Sequence, residues 1–446
     1  MKIKRCLSML LAVLVLLCTI ALPASAEGYT NDIEPHCKSL FLVNLDTDAV
    51  VYAYNPDEQM PMASITKIMT FIVAYENISD PENTVINTGD NFYDALQGTD
   101  SSMAGLYTDE NLTALQLYNM MLIPSGNDAA YVLAEYVGGD GGIDQFINMM
   151  NDKARELGCN NTHFNDVSGL SSDNHYSTAR DLATIAQYAL TLPYFAEITN
   201  LTYYTLPATN RSESRTVYTT NAMLNQNMDD GAYYYEYTRG IKTGTTDEAG
   251  YCVVTSAVKG GYSYLCVALG SPSVDSEGNP ISVRGDMLDS KALYEWAFDN
   301  FELKTVLSAG EILADVDLDY VWGKDSLQLM ASSSCTALLP SEVEPSSIMM
   351  SFDLPDQVDA PIAKGTKIGT VTLRYADTDI RTVDLVAAES VERSDIAAVL
   401  TTGQELLTSP WFKIVTVVLI FFVILYVIML VVYNVKRKRI TGDKRR

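Results

Sequence analysis

Ser64-Ile65-Thr66-Lys67-Ile68-Met69-Thr70-Phe71-Ile72-Val73-Ala74-Tyr75 decides how the rest of the chain is read. Across 62–75, Ile65, Ile68, Met69, Ile72 and Val73 recur at helical spacing, so the stretch predicts a helix that Ser64 opens. Lys67, three residues on, then shares a face with Ser64. A helix start also favours developing negative charge. A serine hydroxyl is a weak nucleophile until a base takes its proton, and no histidine lies near Ser64 in sequence. Lys67, as a neutral amine, is therefore the candidate base.

Two downstream motifs complete a possible site. Ser125-Gly126-Asn127 lies in a turn between two predicted helices, and Lys242-Thr243-Gly244 follows much later. Burial and the second cation Lys242 would both lower the pKa of Lys67. Ser125 can relay a proton to a leaving amine. Asn127 can hold a substrate amide and orient Lys67. Lys242 and Thr243 can bind a terminal carboxylate, and the small Gly244 lets a peptide lie along a strand edge. Backbone N–H groups of Ser64 and Thr245 can form an oxyanion hole. The motifs have literal decoys: Ser256-Ala257-Val258-Lys259 and Ser172-Asp173-Asn174. Ser256 ends a predicted strand and lacks the helix start.

Around the site, residues 36–300 mix strand and helix signals. Strands are predicted at 40–43, 50–54, 249–257 and 262–269; helices at 112–122, 128–136, 143–157, 178–190 and 290–300. From 301 to 393 short alternating segments dominate, which predicts a small all-β domain. The fold class expected is α/β (α+β), with helices around an antiparallel sheet, followed by that β domain and a transmembrane helix.

The ends carry different signals. Residues 1–26 combine Lys2, Lys4 and Arg5, an apolar run and Ala24-Ser25-Ala26, which reads as a secretory signal peptide. Residues 394–410 read as a linker. Residues 411–435 are long and apolar enough to span a bilayer, with Trp411 and Tyr433 as interface anchors. The basic tail 436–446, starting Lys436-Arg437-Lys438-Arg439, would stay in the cytoplasm and leave the body extracytoplasmic at the bacterial cell membrane.

Composition excludes several classes. The 446 residues carry 30 Lys+Arg against 56 Asp+Glu, a net charge of −26. Much of the basic charge sits at the two ends, so the body is more acidic still. Nucleic acid is excluded as a partner, because a phosphate backbone needs a basic face. The 3 histidines, His36, His163 and His175, lack zinc-peptidase spacing, and no metal or cofactor is expected. Outside the signal region Cys37, Cys159, Cys252, Cys266 and Cys335 remain. The one pairing their spacing leaves open is Cys252–Cys266, flanking a predicted hairpin turn at Gly260-Gly261.

At this point the chain resembles the low-molecular-mass penicillin-binding proteins, specifically the serine-type D-Ala-D-Ala carboxypeptidases. The likeness runs from about Ser39 to Arg393. It rests on the stretches Ala63–Thr70, Leu122–Ala130, Gly240–Gly244 with Ala249–Cys252, and Ala360–Gly365. It also rests on Thr162–Asn165, Ser168-Gly169-Leu170 and His175–Thr178. The resemblance implies a penicillin-recognising domain plus a β-rich stalk. It implies removal of the terminal D-alanine from peptidoglycan stem pentapeptides through a Ser64 acyl-enzyme, with β-lactams as acylating inhibitors. It implies further that Arg284 helps bind the substrate carboxylate.

Two features depart from the family: a span where an amphipathic surface helix is common, and the tyrosine-rich Tyr233–Tyr237, readable as loop packing or as a cleft rim. Rival readings are a serine β-lactamase and a membrane-tethered β-lactam sensor. The first needs a deacylating glutamate in a Glu-x-x-Leu-Asn setting, and Glu135, Glu156, Glu197, Glu213 and Glu236 all lack it.

Overall fold

The structure is a computed structural model that describes residues 31, 33–99, 101–170, 174–376, 378–396, 399, 407 and 409–442. The predicted signal peptide, Ser172 of the second decoy, most of the linker and the end of the basic tail lie outside these residues. The chain divides into two compact units. The first runs to Leu303 and includes Leu338–Ser341; the second holds the rest.

In the first unit, strands β1 (Ser39–Asn44), β2 (Val50–Tyr54), β3 (Thr238–Thr246), β4 (Gly250–Lys259) and β5 (Tyr262–Ser271) form one sheet. Its order is β2-β1-β5-β4-β3, with every neighbouring pair antiparallel. Side chains alternate across a strand, and the sheet uses both faces. Phe41, Val43, Val254, Leu265 and Val267 enter one core; Leu40, Leu42, Val253, Tyr264 and Cys266 enter the other.

The first core is roofed by helices α1 (Lys67–Asn77), α2 (Ala114–Leu122), α3 (Asn127–Gly138), α4 (Gly142–Glu156) and α5 (Ala179–Leu190). Lys67 through Ala74 are all buried, so α1 is the central helix. The second core packs on α6 (Gly285–Asn300) through Met287, Leu293, Tyr294 and Ala297.

The predicted segments mostly stand within a few residues of these bounds. Thr178 caps α5 by accepting the N–H of Asp181 at 3.1 Å, at the start of the helix expected over 178–190. Helix α6 begins five residues before the predicted Ser290. Its extra turn buries Asp286 and Asp289, polar residues that no apolar pattern flags. Their carboxylates serve Arg284 and the N–H groups of His36 and Cys37. Strand β3 reads Thr-Arg-Gly-Ile-Lys-Thr-Gly-Thr-Thr, which has no hydrophobic alternation; sheet pairing with β4 makes it a strand.

Among the described residues, Cys37, Cys159, Cys252, Cys266 and Cys335 are all buried and unpaired. The Cys252–Cys266 bridge is excluded by the pleat, since Cys252 enters the first core and Cys266 the second.

The second unit contains a six-stranded sheet. Its strands are β6 (Ile312–Asp319), β7 (Ser326–Ala331), β8 (Met349–Asp353), β9 (Gln357–Asp359), β10 (Lys367–Tyr375) and β11 (Thr378–Ala387), in the order β8-β10-β11-β7-β6-β9. Val316, Leu318, Leu327, Leu329, Val371, Leu373, Val383 and Leu385 are buried at alternating positions. This is the small β domain expected. Helix α7 (Pro410–Gly442) contains Pro410–Asn434, 25 residues long and apolar enough to cross a membrane.

Candidate active site

The backbone around Ser64 differs from the prediction. Ala63–Thr66 is a 3-10 turn, and the α-helix starts only at Lys67. Ser64 therefore does not stand at an α-helix N-terminus. The 3-10 turn brings the pair together by another route, because side chains three residues apart eclipse. The side-chain nitrogen Nζ of Lys67 lies 2.9 Å from Ser64 Oγ. Ala63, just before, holds a left-handed φ of 47°, and Ser125 one of 64°. Such conformations cost about 1–3 kcal/mol each and persist where packing over-determines them.

A cleft of about 430 Å³ gathers the predicted residues. Ser64, Ser125, Asn127, Thr243, Gly244, Thr245 and Arg284 all line it. Lys67 and Lys242 are buried and adjoin it through Ser64 and Thr243. Gly244 makes the approach possible: a Cβ there would stand 2.9 Å from Met62 O and 3.2 Å from Ser64 N.

Charge at the site is set mainly by burial. It lowers Lys67 to about 7, against the opposing pull of Asp166 and Asp128. The neutral amine, the form a general base requires, is thereby brought within reach near neutral pH. Lys242 is driven well below its ordinary value by burial first, then by Lys67 and Arg284. The sequence reading gave burial and Lys242 a part in lowering Lys67; burial is the largest cause for each lysine, and the two charges act on one another.

Asn127 does not orient Lys67. The second contact of Lys67 Nζ is the carbonyl oxygen of Ser168, at 2.8 Å. Asn127 Oδ1 is buried with no hydrogen-bond partner, on a side chain that lines the cleft.

Asp166 organises the loop that supplies Ser168. Its Oδ1 accepts the N–H groups of Ser168, Gly169 and Leu170 at 2.7, 2.5 and 3.1 Å and the Ser168 hydroxyl at 2.8 Å. Its Oδ2 accepts Tyr131 OH at 3.0 Å. Burial alone would raise this carboxyl; the bonds from Ser168, Leu170 and Tyr131 outweigh it and hold Asp166 below its usual value. Asp166, the Ser168 carbonyl and Thr220, whose hydroxyl meets that of Thr243 at 2.5 Å, were missed as site residues. Ser168-Gly169-Leu170 belonged to the family likeness, but a backbone carbonyl leaves no mark in a residue pattern.

Arg284 lines the cleft with its charge already engaged. Nε and Nη2 donate to the two oxygens of Asp286 at 2.9 and 2.6 Å, and the guanidinium lies 4.6 Å from the Tyr251 ring centre. Tyr233–Tyr237 takes the packing role. Tyr233 and Tyr235 are buried in the second core, and no residue of the stretch lines the cleft. None of Glu135, Glu156, Glu197, Glu213 and Glu236 lines it either.

Residues 26–273 match the D-alanyl-D-alanine carboxypeptidase family over more than half of the chain. The chain belongs to that family. Residues 301–393 match the C-terminal domain of penicillin-binding protein 5. The D-alanyl-D-alanine carboxypeptidase DacF of Bacillus subtilis (strain 168) is 29% identical over 399 residues, 88% of this chain and 95% of that protein. DacA of Escherichia coli (strain K12), also named a D-alanyl-D-alanine carboxypeptidase, is 26% identical over 389 residues, 84% of this chain and 88% of that protein. Penicillin binding protein 5 from Haemophilus influenzae superposes with a TM-score of 0.65 at 27% identity, covering 82% of this chain and all of that one. The family makes the chain a serine-type hydrolase with D-Ala-D-Ala carboxypeptidase function and does not favour the β-lactamase alternative.

Proposed function

We propose that Ser64 is the nucleophile that removes the terminal D-alanine from peptidoglycan stem pentapeptides. The observation that carries this is Lys67 Nζ at 2.9 Å from Ser64 Oγ, on a lysine whose burial lowers it to about 7. Lys67 takes the hydroxyl proton as Ser64 Oγ bonds to the carbonyl carbon between the two alanines. Negative charge moves onto the carbonyl oxygen, which the N–H groups of Ser64 and Thr245 receive. The C–N bond then breaks as the Ser125 hydroxyl passes a proton to the departing amine and regains one from Lys67, which returns to the neutral amine. Free D-alanine leaves and the shortened peptide remains as an ester on Ser64. Water cleaves the ester and returns the proton to Ser64.

Lys242 and Thr243 read the substrate's terminal carboxylate, with Arg284 beside them. Asn127 Oδ1 accepts a substrate amide N–H, and Gly244 gives the peptide room along β3. β-Lactams acylate Ser64 by the same route. No step calls on a metal or cofactor. In this reading α7 anchors the chain in the membrane, with the catalytic unit extracytoplasmic and the basic residues after Tyr433 inside. The test is mass spectrometry of the full chain with a stem pentapeptide and, separately, with penicillin. Release of one D-alanine per peptide and a penicillin adduct on Ser64 are expected. Rapid penicillin turnover without D-alanine release would overturn the reading.

A further inference from the structure

The loop that carries Ser168 also carries a histidine that the mechanism above leaves unused. His175 is 2% exposed and packs edge-on to Phe164, ring centroids 5.8 Å apart. His163 and Tyr176 exchange both backbone hydrogen bonds, at 2.9 and 3.0 Å, which fixes the backbone beside it. The partners of His175 fix its tautomer. Nδ1 accepts the Asn165 N–H at 3.0 Å, so the ring proton is on Nε2. Nε2 lies 2.7 Å from Thr66 Oγ1 and donates there. The Thr66 hydroxyl in turn donates to the Ala63 carbonyl at 2.8 Å. Burial, opposed by Asp166, lowers His175 to about 4, so the ring is neutral at neutral pH, as this arrangement requires.

The Ala63 carbonyl belongs to the same peptide as the Ser64 N–H. That peptide is held from several sides. Ala63 is left-handed, and Gly169 fits so closely that a Cβ there would lie 1.9 Å from Ala63 O. A carbonyl that accepts a hydrogen bond polarises its amide, and the N–H of that amide becomes the better donor.

We propose that His175 and Thr66 are positioning residues for the oxyanion, holding and polarising the Ala63–Ser64 peptide through a hydrogen-bond chain from the Asn165 N–H to the Ala63 carbonyl. Neither residue touches substrate. Two residues near one another in sequence then set both halves of the machinery: Ser168 O directs the base, and His175 directs the oxyanion donor. This rests on the reading of Ser64 as nucleophile.

The experiment is stopped-flow acylation of the full chain in detergent by a fluorescent penicillin, separating the binding step from the acylation step. Thr66→Val keeps the side chain's shape and removes its hydroxyl; Thr66→Ser keeps the hydroxyl and removes a methyl. Loss of a direct oxyanion donor costs about 10²–10³ in rate, and a group acting one bond further off should cost about tenfold. Thr66→Val and His175→Ala should each slow acylation by about that factor with binding unchanged. Thr66→Ser should acylate at close to the parent rate, and Thr66→Val/His175→Ala should be no slower than Thr66→Val. A packing role would give the opposite order, with valine tolerated better than serine, and would overturn the proposal. So would unchanged acylation in Thr66→Val, or a loss confined to binding. If His175→Ala does not fold, the valine–serine contrast decides alone. Ser64→Ala separates the two failures: labelling that survives it refutes the nucleophile, and labelling that it alone abolishes refutes only the chain.

Discussion

Ser64–Lys67 and Ser256–Lys259 have the same spelling and meet opposite surroundings. The first pair sits on a 3-10 turn, where side chains three residues apart eclipse and their polar atoms meet. The second sits on β4, where residues three apart point to opposite faces. Ser256 Oγ donates to the Arg239 carbonyl at 2.5 Å, while Lys259 lies over the rings of Tyr237 and Phe298 and 3.8 Å from Asp299. One lysine is buried beside its serine and lowered to about 7; the other reaches aromatic faces and a carboxylate. A motif of two residue types is thus chemistry only where the backbone turns its side chains together and the surroundings choose the protonation state.

The largest expected effect separates the two serines. Ser64→Ala should abolish covalent penicillin labelling, and Ser256→Ala should leave it intact. A labelled tryptic peptide containing Ser256 would break the comparison outright. The lysines come next. Lys67→Ala should slow acylation by about 10²–10⁴, the usual worth of a general base, while Lys259→Ala changes it little. Pre-steady-state labelling reads both.

The pH profile sharpens the contrast. Lys67 is lowered to about 7, so its neutral, active form grows as pH rises through that value. Acylation should rise through about pH 7 and then level, and this limb should vanish in Lys67→Ala. The carboxylate contact supplies a smaller effect. Lys242 and Thr243 should favour a pentapeptide with a free C-terminus over its amide by ~1.5–3 kcal/mol, the worth of a charge-assisted bond. Equal kcat/KM for the acid and the amide would remove that role. The smallest effect returns to the decoy. Ser256→Ala loses one buried hydrogen bond and should lower stability by about 0.5–1.5 kcal/mol in urea unfolding without changing activity.

Much of this was legible before the fold was known. The apolar period after Ser64, the helix over 178–190 and the alternation after residue 301 each rest on a local rule, and the structure follows them. What escaped was non-local. Strand β3 has no pattern of its own and exists through its pairing with β4. The 3-10 start at Ala63 depends on Gly169 and Gly244, which close on it from distant parts of the chain. Asp166 acts by collecting backbone N–H groups, and the second ligand of Lys67 is a carbonyl; neither role depends on a spacing that sequence displays. The Cys252–Cys266 pairing failed for a related reason: proximity across a hairpin does not say which face each residue takes.

Those unpaired thiols have a use of their own. Burial, the largest cause for each, pushes Cys159, Cys252 and Cys266 up to about 12, so in the closed protein almost none is thiolate, the form that reacts. Cys159 and Cys252 report one face of the sheet, and Cys37 and Cys266 the other. A thiol-specific dye added to the native chain therefore becomes a stopwatch for breathing. The order in which the four sulfurs acquire the dye tells which side of the sheet parts first.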